Sequence, residues 1–241
     1  MTTRSMRAGF WAAALGLVWL SLSTSVFAVS DLPLIDAVRA GDAEKVRSLL
    51  AQQADPNTPD HDGTTALHWA AHRDDAQMAD ALIRAGAAVD ATNNFGVTPL
   101  WLACQNGSAA MVRRLLTAGA NPNLALLAGE TPLMVAAGLA IWNPGEDGGS
   151  FTGQEAEVLK AVRITVEGGN DVNARNYRGE TALHGVGFRG VNIVLDYLVL
   201  QGADLQALTE DGWSPLAIAR GLSYTDFYKA QVHTAARLEE M

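Results

Sequence analysis

Gly63-Thr64-Thr65-Ala66-Leu67-His68 decides the fold, because the chain returns to the same frame four more times. The echoes are Gly96-Val97-Thr98-Pro99-Leu100-Trp101, Gly129-Glu130-Thr131-Pro132-Leu133-Met134, Gly179-Glu180-Thr181-Ala182-Leu183-His184 and Gly212-Trp213-Ser214-Pro215-Leu216-Ala217. Intervals between the leading glycines are 33, 33, 50 and 33 residues, so three are equal and one is longer by 17. A second series closes the units: Ala85-Gly86-Ala87, Ala118-Gly119-Ala120-Asn121-Pro122-Asn123, Gly168-Gly169-Asn170-Asp171-Val172-Asn173 and Gln201-Gly202-Ala203-Asp204. A fixed period of this length is the mark of a stacked repeat protein.

Thr or Ser directly before Pro or Ala is an N-cap followed by a favourable first helical residue, so each motif predicts a helix start. The closing Gly supplies a left-handed residue where a side chain would clash. Two short apolar stripes lie between these signals, for example Leu67, Ala70 and Ala71, then Met78, Ala79, Leu82 and Ile83. Neither helix is long enough to be stable alone, so the units must bury their apolar faces against one another.

The five motifs and their closing glycines resemble the ankyrin repeat, over nearly all of the chain from Ser30 onward. The resemblance implies an all-α ankyrin-repeat solenoid of stacked helix-turn-helix units with short β-turn fingers, occupying residues 29–241. Six units are expected, beginning near residues 30, 60, 93, 126, 176 and 209. The first lacks the full motif and the last ends in an aromatic stretch, Tyr224, Phe227 and Tyr228, and a polar helix at Thr234 to Glu240, as capping repeats require. The longer interval places an insertion at about 141–157, between the two helices of the fourth unit. Its Pro144 and four glycines forbid regular structure, and Thr152 with Glu155 forms a capping box for the helix that follows.

Residues 1–28 read as a secretory signal: Arg4 and Arg7, an apolar run from Ala8 to Leu22, and Val26-Phe27-Ala28 ahead of a cleavage after Ala28. An N-terminal membrane anchor is the alternative, since the uncharged span to Val29 can cross a bilayer. No second apolar run of spanning length follows, so the mature chain is expected to have no membrane span. The formal charge is -9, and losing Arg4 and Arg7 makes it more negative still. That field repels phosphate backbones, which excludes nucleic acid as a partner. One cysteine, Cys104, cannot form an intramolecular bridge; it aligns with Ala71 and Ala137 and is expected to be a buried filler.

His68 and His72 stand four apart on a predicted helix, a spacing that can bind a metal. A metal-binding or metal-dependent hydrolase reading would use His61, His68, His72 and nearby carboxylates. No HExxH frame supports it, and the repeat itself explains His68 and His184 as rings hydrogen-bonded to adjacent turns. Glu146, Asp147, Glu155 and Glu157 do not follow the spacing of a calcium loop. No phosphate loop or nucleophile elbow occurs, so the reading is noncatalytic, with no cofactor and no metal.

What remains is surface. The tip columns run His61, Asn94, Leu127, Tyr177, Glu210; Asp62, Phe95, Ala128, Arg178, Asp211; and Thr64, Val97, Glu130, Glu180, Trp213. The expected partner-binding residues are Phe95, Tyr177, Arg178 and Trp213 on the tips, His72, Arg73, Phe188 and Arg189 on first helices, and Trp142 at the insertion, brought close to Phe188 and Arg189. Aromatic and Arg side chains are typical of binding hot spots. Gly185 and Gly187 weaken the fifth unit's first helix, which leaves three readings open: a partner approaches there, the insertion does, or the helix is poor. The function expected from the resemblance is a protein-binding scaffold, monomeric, in the periplasm or secreted, with its partner on the concave face. A secreted effector or immunity-type protein is the alternative of the same class.

Overall fold

The structure is a computed structural model, and it describes residues 32–139, 155–222 and 230–241. The expected signal segment, Trp142 with most of the insertion, and the aromatic stretch at 223–229 lie outside the described residues. All regular structure among the described residues is helical, with no strand. The helices come in consecutive pairs: α1 (Pro33–Ala40) with α2 (Ala43–Ala51), α3 (Ala66–His72) with α4 (Ala76–Arg84), α5 (Pro99–Gln105) with α6 (Ala109–Thr117), α7 (Pro132–Ala136) with α8 (Glu155–Glu167), α9 (Ala182–Arg189) with α10 (Asn192–Leu200), and α11 (Pro215–Ala219) with α12 (Val232–Glu239).

Thr65, Thr98, Thr131, Thr181 and Ser214 are the N-caps of α3, α5, α7, α9 and α11. Second helices have their own caps, which the motif does not announce: Asp42, Asp75 and Ser108 accept from the backbone N–H three residues on, at 2.9, 3.0 and 3.2 Å. These oxygens satisfy amides that the helix leaves unpaired.

First helices stack in one row, α3 against α1 and α5, α7 against α5 and α9, and α9 against α11; second helices form the other. Buried Leu67, Leu100, Leu133 and Leu183 fill the same position of successive first helices, as Leu82, Leu115 and Leu198 do in second helices. In α8 that second position holds Thr165, fully buried. Its hydroxyl donates to the Ala161 carbonyl at 2.8 Å and lies 3.8 Å from the Cys104 sulfur, so a polar oxygen sits in an apolar layer with its proton satisfied. Cys104 is buried as the sequence led us to expect, and burial pushes its thiol up to about 12.

In the fourth unit α7 keeps only five residues and α8 has 13, against nine in α4, α6 and α10. Glu155 to Glu157, expected at the end of the insertion, are thus already in the helix.

The two glycines of α9 also have a structural explanation. A Cβ on Gly185 would stand 2.7 Å from the Leu139 backbone nitrogen, and one on Gly187 would stand 2.8 Å from the Pro215 carbonyl oxygen. What approaches this helix is the backbone of the units before and after it. The short α7 and α11 let α9 settle between them at a distance that leaves no room for a methyl group.

Candidate functional site

Each turn between units is a finger built from five residues. In 60–64, 93–97, 126–130, 176–180 and 209–213 the first residue's N–H donates to the fifth residue's carbonyl, at 2.9 to 3.1 Å. Its own carbonyl accepts from the Gly N–H at 2.9 to 3.0 Å. The Gly is required twice over at Gly129: its φ is +89°, and a Cβ there would lie 3.0 Å from the Asn176 Cα of the next finger. Side chains brace four fingers further, and in the last of them the Thr209 Oγ1 accepts the Trp213 N–H at 3.1 Å. One oxygen each of Asp60, Asn93 and Asn176 accepts two backbone N–H groups of its own finger, at 2.9 to 3.2 Å. Leu126 stands at the same place in the third finger and offers no such oxygen. Adjacent fingers are tied by Asn94 N–H to Asp62 O at 2.8 Å, Tyr177 N–H to Ala128 O at 3.1 Å and Glu210 N–H to Arg178 O at 2.8 Å.

Histidines anchor two fingers from below. His68 is fully buried; its Nδ1 accepts the Thr65 backbone N–H at 3.1 Å and its Nε2 meets the Val97 carbonyl at 2.9 Å. A backbone N–H can only donate, so Nδ1 is unprotonated and Nε2 carries the proton that Val97 accepts. His184 repeats this with Thr181 at 3.0 Å and Trp213 at 3.1 Å. Burial holds both rings below their ordinary pKa and hence neutral. With both nitrogens occupied, His68 has no lone pair for a metal. His72 is exposed at the end of α3, so the two imidazoles do not converge, and His61 sits on the exposed tip. Among the described residues no group of three or more His, Cys, Asp or Glu is placed to hold a metal ion.

The expected binding residues are spread over separate elements. Phe95 (63% exposed) and Tyr177 (73%) project from the second and fourth of these fingers, and Leu127 (68%) projects from the finger between them. Arg178, beside Tyr177, is exposed as well. Trp213 differs from the expectation. Its column turns inward, with Thr64 and Glu180 buried, and Trp213 is half-buried. The cause is the finger geometry: this fifth position supplies the carbonyl that receives the first residue's N–H.

His72 and Arg73 are exposed on α3. Arg73 also ties two units together, donating from Nη1 to the Arg39 carbonyl at 3.0 Å. Beside it, the Arg39 guanidinium lies 4.6 Å over the Trp69 ring, whose edge-to-face neighbour at 5.9 Å is His72. Trp69 and Arg39 were not singled out in the sequence; the repeating frame treats position 69 as packing, and only the stack on Arg39 shows its outward edge. Phe188 and Arg189 are half-buried at the end of α9. The Phe188 carbonyl accepts from Gln231 at 3.3 Å, and the Arg189 stem occupies the space above Gly138. Trp142 lies outside the described residues.

This geometry defines a class: an array of stacked helical pairs presenting a row of hydrogen-bonded fingers. Residues 34–126 and 92–140 match the family model for ankyrin repeats (3 copies), so the chain contains an ankyrin-repeat domain spanning residues 34–140, a noncatalytic module consistent with protein–protein interaction. A search of curated proteins found no match to the chain. No helix of the described residues is long and apolar enough to cross a membrane.

Proposed function

We propose that this protein is a monomeric binding scaffold of an exported compartment, taking a partner protein on its finger tips and first-helix face. The observation that carries the reading is the run of Phe95, Leu127 and Tyr177, large apolar side chains exposed on three successive fingers. Isolated exposed apolar residues need no explanation, but a row of them on braced turns is an interaction surface in the making. The backbone hydrogen bonds within each of these fingers hold the chain beneath the side chains, so little conformational freedom is lost when a partner closes over them. Arg178 and the Arg39–Trp69–His72 stack border the row with groups suited to hydrogen bonding and stacking. Export rests on the charged, apolar and cleavable parts of residues 1–28. Mass spectrometry of the protein from an exported fraction tests it: the chain should start at Val29, and a chain retaining Arg4 to Ala28 favours the anchored form.

A further inference from the structure

The second row of helices carries a groove of about 680 Å³ between α4 and α6. Ile83 and Ala110 lie along it, Arg84 flanks it from α4, and Arg113 and Arg114 from α6. Asp80 is the only carboxylate on its lining, and it is already paired with Arg114 at 3.0 Å. Arg84 and Arg113 are exposed and make no ion pair among the described residues.

The repeat does not demand these cations. Positions equivalent to Arg113 hold Arg47, Asp80, Arg163 and Asp196, and those equivalent to Arg84 hold Ala51, Thr117, Glu167 and Leu200, so only this unit boundary places both cations on one groove. Arg47 pairs with Glu44, Lys160 with Glu157 and Arg237 with Asp196, and Arg163 lies over the Tyr197 ring. In a chain of net charge -9, two exposed guanidinium groups on the lining of one groove, without an ion pair among the described residues, are a local reversal of sign.

We propose that this groove docks an acidic segment of a partner protein, with carboxylates on Arg84 and Arg113 and an apolar side chain on Ile83 and Ala110. Guanidinium forks suit carboxylates in a bidentate pair. A peptide fits better than a lone anion, because the two cations stand on different helices with apolar surface between them, and the volume lies in the roughly 300–1,000 Å³ range of ligand clefts. The site is separate from the finger surface, and its test is independent of that reading.

The test is fluorescence anisotropy on the folded protein with a short labelled peptide alternating Glu and Leu, and a Lys-Leu peptide as its counterpart. The acidic peptide should bind saturably, more weakly as salt rises, and lose roughly tenfold or more in affinity in Arg84→Ser/Arg113→Ser. Thr117→Glu, which leaves both arginines in place and adds a like charge to the lining, should weaken it too. Absence of saturable binding, equal binding of the two peptides, unchanged affinity in the variants, or displacement by inorganic phosphate at the peptide's own concentration would each overturn the proposal.

Discussion

The Nε2 of His68 lies 2.9 Å from the carbonyl oxygen of Val97, 29 residues further along the chain, and carries the proton between them. One buried side chain thereby caps its own helix through Thr65 and holds the next unit's finger in place. His184 does the same for Trp213. Substituting either by Ala strands the Thr65 or Thr181 backbone N–H and removes one of the two donors to the Val97 or Trp213 carbonyl, which keeps the N–H of Asn93 or Thr209. His68→Ala and His184→Ala should each lower unfolding free energy by about 1 to 3 kcal/mol in denaturant titration, with little change in helical circular dichroism before the transition.

The same pair makes stability depend on pH. Unfolded, each imidazole protonates at its ordinary value of 6.5; folded, burial holds it lower. Below 6.5 the unfolded chain takes up protons that the folded chain refuses, so stability falls as pH falls, by at most about 1.4 kcal/mol per pH unit per histidine. The melting temperature should drop between about pH 7 and about pH 5.5, and the drop should flatten in the His68→Ala/His184→Ala variant. An equal slope in the variant would assign the dependence to carboxylates.

Gly185→Ala and Gly187→Ala set two magnitudes against each other. Helix propensity alone favours Ala by roughly 1 kcal/mol. The new methyl would press on the Leu139 amide or the Pro215 carbonyl, backbone atoms that cannot turn aside, and overpacking typically costs about 1 to 3 kcal/mol. Both variants should melt lower than the parent, whereas higher melting would show that α9 lacks these close neighbours.

Cys104 should react with thiol reagents only when the chain unfolds. Its sulfur is buried and its thiol pushed up to about 12, so almost no thiolate exists at neutral pH. Rapid labelling of folded protein would contradict its place beside Thr165.

Much of the fold was legible because a stacked repeat writes its geometry into the spacing of caps and glycines. Thr98-Pro99 and Gly119 mark a helix start and a unit end wherever they recur. The roles of Asp60, Asn93 and Asn176 have a signal in the sequence: an Asx three residues before Gly63, Gly96 and Gly179 is the brace of a turn. The tip column of Trp213 reads as outward from the sequence, whereas in the structure Trp213 is half-buried and its carbonyl receives the Thr209 N–H. Gly185 and Gly187 could not be resolved from sequence at all, since what excludes their side chains is backbone 46 residues before one and 28 after the other. The surface is less legible than the core because exposed residues obey no period.

The proposed binding surface is the row of fingers that carries Phe95, Leu127 and Tyr177. Site-specific photocrosslinking tests it most directly, with a photoreactive side chain in place of Phe95 or Tyr177 in protein exposed to the exported fraction. Both positions should yield a discrete adduct with one and the same protein, lost when Leu127→Ser is added, while the melting temperature of the variants barely moves. Finger positions that give no adduct, in protein that is folded and exported, would contradict the account.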